Sequence, residues 1–316
     1  YVDPRNADVV MVAALGHLYG QNEERGLYRS ADGGKHWTRA LYVGPDTGAV
    51  DIAADPADPD HLYASTWTAR QWPWLSYFMP SMGPGSGIHE SRDNGSTWTR
   101  VPGKGLPAGD LGRIGLAVGH TAAGARVYAS VVARDATGNG LYRSDDGGAN
   151  WSLVNEARSV VNSYFSRLTL DPHDANTIYI VGQSIKKSTD GGKSFKIIRG
   201  GPGGDDYHSL WINPAHPERM VTASDQGTVV SVNGGATWSS WSTAPTGQTH
   251  YLAADNAFPY RAYSGQQDSG TVGIASRSDY GAFGWRDWTP VGGDERDYEI
   301  PAPQDPNIVC SSGLGG

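Results

Sequence analysis

The side chains able to do chemistry stand in short polar runs toward the end of the chain. Asp205-Asp206-Tyr207-His208 comes first, then Asp225-Gln226-Gly227, then Gln248 and His250. Gln266-Gln267-Asp268 and Asp294-Glu295-Arg296-Asp297 follow. Carboxyl groups gathered around one point can act as general acid and base on a glycosidic bond. An inverting pair stands about 6.5–9.5 Å apart and a retaining pair about 5–5.5 Å apart. Crowded carboxylates repel, so at least one should hold a proton or share a cation of calcium type. No other cofactor is called for. Asp206 and His208 alternate like residues on one side of a strand. His208 therefore suits either a metal ligand or an orienting partner for Asp206. The catalytic candidates are Asp206, His208, Asp225, Asp268 and Glu295, with Gln248, Gln266 and Gln267 as ligand contacts. The plainer reading of the same residues is a solvated acidic rim.

A second constellation is aromatic. Thr66 to Ser86 contains Trp67, Arg70, Trp72 and Trp74, with Tyr77 and Phe78 close behind. Indole faces stack on sugar rings, and an adjacent guanidinium can bond hydroxyls or carboxylates. These residues are the second set of binding candidates, on the understanding that the same rings could instead pin their own loop to the protein.

Two alternating repeats must position these loops. The first is S-x-D-x-G-x-x-W. It appears at Ser30-Ala-Asp32-Gly-Gly34-Lys-His-Trp37, Ser91-Arg-Asp93-Asn-Gly95-Ser-Thr-Trp98 and Ser144-Asp-Asp146-Gly-Gly148-Ala-Asn-Trp151. Variants run from Ser188 through Asp190 to Phe195 and from Ser231 through Asn233 to Trp238, and a degenerate sixth ends near Trp288. The physics is that of a hairpin turn: the acid accepts turn N–H groups, the glycines supply positive φ, and the aromatic ring plugs the space beside the hairpin. Asp32, Asp93, Asp146, Asp190 and Asn233 are thus turn-capping residues. The second repeat is a D-P turn leading to a strand, as in Asp55-Pro56 before Tyr63 and Asp171-Pro172 before Tyr179. Weaker copies bring the total to seven.

Together the repeats make a unit of four strands, A to D, recurring every 40–65 residues. Four-stranded units near this length are the mark of a β-propeller. No segment shows helical periodicity over ten residues. The expectation is one all-β propeller over residues 1–316, seven-bladed, or six-bladed if the last A strand closes the first blade. The first blade should lack strand A and the last should lack strands C and D. The chain opens and ends in mid-pattern, so it reads as a piece of a longer protein. The net charge of −8 and the lack of a basic run argue against a nucleic-acid partner. No stretch has the apolar length of a membrane helix. The single Cys310 can form neither an internal disulfide nor a zinc site.

The S-x-D-x-G-x-x-W motif resembles the Asp box, or bacterial neuraminidase repeat, of sialidases, xyloglucanase-type glycoside hydrolases, sortilin-type receptors and a photosystem assembly propeller. Further segments are similar to large bacterial exported proteins described as sortilin-like or glycosyl-hydrolase-like. They are Val12-Ala-Ala-Leu-Gly-His17, Glu24-Arg-Gly26, Pro245-Thr-Gly-Gln248, Phe258-Pro-Tyr-Arg261, Gly265-Gln-Gln-Asp268 and Asp287-Trp-Thr-Pro-Val-Gly-Gly293. That resemblance implies a secreted, periplasmic or cell-surface protein, a glycan or peptide ligand, and a further propeller in the same longer chain. It also implies that the Asp-box turns lie on the side away from the site. Xyloglucanase-type enzymes set one catalytic Asp from each of two propellers across a cleft. At the corresponding end of strand B in blade one this chain has Leu15-Gly-His17, with Glu23 and Glu24 beyond, and no matching Asp. The leading expectation is a propeller that binds or hydrolyses a glycan, and the alternative a sortilin-like peptide-binding propeller without catalysis.

Overall fold

The computed structural model describes residues 1–72, 81–161, 164–165, 167–201, 203–240, 247–293, 295–296 and 298–312. The fold is an all-β propeller built from four-stranded antiparallel blades. The first sheet comprises β1 (Val2–Asp3), β2 (Asn6–Ala14), β3 (Gly26–Ser30) and β4 (Thr38–Leu41). The second comprises β5 (Thr47–Asp55), β6 (Asp58–Thr68), β7 (Gly87–Ser91) and β8 (Thr99–Arg100). The third runs β9 (Leu111–Thr121), β10 (Gly124–Ala133), β11 (Gly140–Ser144) and β12 (Ser152–Asn155). The fourth runs β13 (Arg167–Leu170), β14 (Ile178–Val181), β15 (Ile185–Ser188) and β16 (Lys196–Arg199). Three described strands make the fifth: β17 (Tyr207–Ile212), β18 (Met220–Ser224) and β19 (Gly227–Ser231). The sixth has β20 (Ala253–Ala254), β21 (Arg261–Gln266), β22 (Gly270–Ala275) and β23 (Trp288–Thr289), and β24 (Glu299–Ala302) pairs with β25 (Asp305–Ser311). No helix among the described residues is long and apolar enough to cross a membrane.

The D-P repeat is an Asx turn joining strands A and B. Asp55, Asp171 and Asn213 each accept the backbone N–H two residues on, at 2.9 Å in all three. Proline between them fixes φ near the value the turn needs. In the second and third sheets strand B carries a buried tyrosine whose hydroxyl fastens it to the next sheet. Tyr63 Oη donates to Gly147 O at 3.0 Å, and Tyr128 Oη to Ala175 O at 2.9 Å.

The S-x-D-x-G-x-x-W turn joins strands C and D. In all five good copies the serine hydroxyl donates to the Asp or Asn side chain at 2.7–3.0 Å. It also accepts the N–H of the second glycine at 2.8–2.9 Å. The acid in turn accepts the N–H four residues on. Gly33, Gly147, Gly191 and Gly234 have φ of 68–73° at the position after the acid, and Asn94 fills it in the second copy with φ 54°. Asparagine tolerates this left-handed region better than other side chains, which is why the substitution keeps the turn.

The chain divides into two compact units. One spans Tyr1–Thr222 with Val230–Trp238, and the other joins Ala223–Val229 to the chain from Ser239 onward. Within the first, an apolar core fills each interface between consecutive sheets. Tyr63 and Ile88 meet Ile114, Leu116 and Trp151 between the second and third. Tyr128 and Leu141 meet Leu168 and Ile178 between the third and fourth, and Tyr179 and Ile185 meet Tyr207 and Leu210 between the fourth and fifth.

Candidate functional site

The second unit brings three of the expected acids together. Asp225 and Gln226 turn the chain from β18 to β19, Asp268 sits in the turn from β21 to β22, and Glu295 lies just ahead of β24. Glu295 Oε2 accepts the Asp268 N–H at 2.9 Å, and Gln226 Nε2 donates to Asp268 O at 3.1 Å. The Asp268 carboxyl is hydrogen-bonded to both the Asp225 and Glu295 side chains. Gln267 Nε2 donates to Asp268 Oδ1 at 2.9 Å, and Gln267 Oε1 meets His250 Nε2 at 3.0 Å. Gln248 enters through its backbone, accepting the Gln267 N–H at 2.9 Å. Gln266 continues the strand and forms a bridge with Thr249.

This contact polarises the pair. Hydrogen bonding with Asp268, and then burial, hold the Glu295 carboxyl above its ordinary range. Burial pushes Asp268 up as well, but its bonds to Asp225, Glu295 and Gln267 outweigh it and hold that carboxyl low. Two carboxyls in direct contact cannot both ionise freely, so of the two Glu295 is the one that releases its proton later as pH rises. Asp268 has φ 55°, one of three non-glycine residues with positive φ among those described. Such strain persists only where surrounding contacts over-determine it, and it clusters at functional sites. In the same unit the rings of Tyr251 and Tyr298 stack at 3.7 Å. Sequence reading did not find this pair, because nothing links two tyrosines so far apart in the chain. Among the described residues no three His, Cys, Asp or Glu side chains are arranged to hold a metal ion. Asp294 and Asp297 lie outside the described residues.

Asp206 and His208 belong to the first unit. Asp206 also has a positive φ of 46°. The His208 ring lies 5.5 Å from that of Phe165 and 6.1 Å from that of Tyr164.

The aromatic constellation divides. Trp67 closes strand β6 and is buried, its Nε1 donating to Ser81 O at 2.7 Å. Its burial fits the plainer reading, in which the ring pins its own loop to the protein. Trp72 is exposed, with the Arg70 guanidinium 4.7 Å above its ring and Arg70 Nη1 3.3 Å from Asp46 Oδ1. Trp74 lies outside the described residues.

Two further residues of the first unit went unread in the sequence. Arg25 is fully buried and donates to the carbonyls of His17 at 2.6 Å, Asp46 at 3.1 Å and Ala69 at 3.1 Å. It thereby ties the loop after β2 to the loops flanking β5 and β6. Asp51 interrupts the apolar strand β5, accepts the Leu116 N–H at 2.9 Å, and is raised by burial. The signal in the sequence was an acid inside Val50-Asp-Ile-Ala-Ala54.

The BNR/Asp-box repeat profile matches residues 142–153, which include the acid, both glycines and Trp151 of the third turn. These turns are Asp boxes. A xyloglucanase of Paenibacillus sp is 27% identical across 82% of this chain and 28% of its own length. A xyloglucanase of Hypocrea jecorina is 29% identical across 89% of this chain and 32% of its own. The chain therefore spans about a third of the length of these relatives. Among solved structures, a GH74 xyloglucanase from Xanthomonas campestris aligns over 99% of this chain and 57% of its own, at 17% identity and TM-score 0.41. An ancestral GH74 enzyme aligns over 95% and 42%, at 15% identity and TM-score 0.47. The Asp boxes sit at the turns between strands C and D, whereas Asp225, Asp268 and Glu295 sit on turns of the other types.

Proposed function

We propose that this Asp-box propeller is part of an exported glycoside hydrolase and that Glu295 is its general acid. The observation that carries this is the contact between Glu295 and Asp268, which raises one carboxyl and lowers the other. A general acid must hold its proton near the working pH and release it to the leaving oxygen. Asp268, kept charged, holds that proton in place, and Asp225 supports Asp268. The similarity to the two xyloglucanases supports a glycan as substrate.

The contact also sets a limit. Glycosidase carboxyl pairs stand about 5–9.5 Å apart, so that a sugar carbon or a water fits between them. Hydrogen-bonded carboxyls are too close for that. The second carboxylate, acting as base or nucleophile, must then come from outside the trio. We assign it to a further propeller of the same protein, facing this one across the glycan. No cofactor enters this reading.

The test is turnover of xyloglucan by the protein containing this chain. Glu295→Gln keeps the shape and removes the proton donor. It should lower kcat by about 10²–10⁴-fold with KM little changed. In the parent protein kcat should fall as pH rises through the raised Glu295 value, because the acid form is the active one. Unchanged turnover in a folded Glu295→Gln protein would remove the assignment.

A further inference from the structure

Two residues before the Asp-box serine, strand C carries Tyr28, His89 and Tyr142 in the first three blades and Val229 in the fifth, and the Tyr142 ring packs in the core between the second and third sheets. In the fourth blade this position is Lys186. Strand periodicity separates it from its neighbour, since Lys186 pairs with Ile180 in the core shared with the third sheet, while Lys187 reaches over Tyr179 on the other side. A lysine cannot fill the seam as a ring does, and a cavity of about 190 Å³ remains there. Arg158, Ser159, Phe165, Arg167, Gln183 and Lys186 line it. It opens among the loops that join strand B to C and strand D to the next A, on the side away from the Asp boxes.

The charge in this cavity is one-sided. Three cations line it and no carboxylate does among the described residues, in a chain whose acids outnumber its Lys and Arg by 33 to 25. Lys186 Nζ donates to the Ser159 carbonyl at 2.5 Å, and Arg167 reaches no nearer than 3.9 Å to the Asp51 carboxylate outside the cavity. Burial lowers the Lys186 ammonium below its ordinary value. A half-buried cation without an ionic partner gains when an anion arrives. Arginine forks and an ammonium together recognise a planar carboxylate, and the Ser and Gln side chains can meet neighbouring hydroxyls.

We propose that the seam between the third and fourth blades is a subsite for the carboxylate of an acidic sugar, such as a uronate unit in a glycan. The sugar part rests on the glycan reading above, whereas the carboxylate part rests on the cavity alone.

The experiment is calorimetric titration of the protein with trigalacturonate, a neutral trisaccharide of matching size, and triglutamate. Trigalacturonate should bind at least about tenfold tighter than the neutral sugar, the worth of one charge-assisted contact. Lys186→Gln should erase that preference, Lys186→Arg should keep it, and Arg158→Gln should weaken it. Equal affinity for acidic and neutral sugars would overturn the proposal, as would a preference that survives Lys186→Gln. Triglutamate binding as tightly as trigalacturonate would overturn the sugar assignment in favour of an acidic peptide. The acid assignment is read by xyloglucan turnover and the subsite by binding alone, so failure of one and failure of the other are told apart.

Discussion

In the Asp box the acid names the motif, but the serine is the buried member. Ser144 is fully buried and its hydroxyl accepts the Gly148 N–H at 2.8 Å while donating to Asp146 at 2.7 Å. Asp146 itself is exposed, with its carboxyl lowered to about 2 first by the Asn150 side chain and then by the Asn150 N–H. Removing the serine oxygen leaves a buried N–H without an acceptor, whereas removing the acid lets water replace it. Ser144→Ala should therefore cost roughly 1–3 kcal/mol, and Asp146→Ala distinctly less. Urea unfolding of the two variants checks the order. A larger loss from Asp146→Ala would return the anchoring role to the acid. The repeat made both residues legible, but not their burial, which depends on the sheet each turn leans against.

The same dependence appears in whole elements. Trp151 is buried, at 5% exposure, between the second and third sheets, whereas Trp37 holds the same motif position at 42% exposure. Both indoles donate to the second glycine's carbonyl at 2.9 Å, so the local turn is alike and the surroundings differ. Trp151→Ala should cost about 3–5 kcal/mol, the range for a buried tryptophan, and Trp37→Ala well under half of that. Chemical denaturation of both variants measures it, and equal losses would show that the ring acts only within its own turn. Strand order and turn chemistry were legible because Asx turns and Asp boxes are local, each fixed by residues two to four apart. Trp67 was not legible as a buried residue, for the opposite reason. It ends strand β6, and what covers it comes from Ser81 and from the neighbouring sheet, across from Arg113 at 5.8 Å. The loop types placed Asp225, Asp268 and Glu295 on matching turns, but not the direct bond that sets which one releases its proton later.

At the scale of the whole molecule the carboxylates act together on stability. Asp32 is lowered to about 2, first by the His36 N–H and then by the His36 ring, and Asp93 and Asp190 are lowered, first by the hydroxyls of Thr97 and Ser194. With Asp146 these are four acids that bind protons less readily folded than unfolded. Each adds stability that is present above the unfolded value of 3.8 and is lost as pH falls through the folded value. Glu295 works in the other direction. Its raised carboxyl adds stability below the ordinary 4.5 and loses it as pH climbs through the folded value. Among the described residues Asp3, Asp60, Asp135, Asp174, Asp255 and Asp268 are lowered as well, against only Asp51 and Glu295 raised, and this majority sets the net sign in acid. The melting temperature should hold steady from about pH 7 to about pH 5 and then fall steeply toward pH 2, over the window that the lowered aspartates define. Glu295→Gln should flatten any decline at the upper end and leave the acid limb untouched. Thermal scans across that range decide it: a melting temperature unchanged down to about pH 2.5 would mean that the Asp-box carboxylates carry no charge-dependent share of the fold.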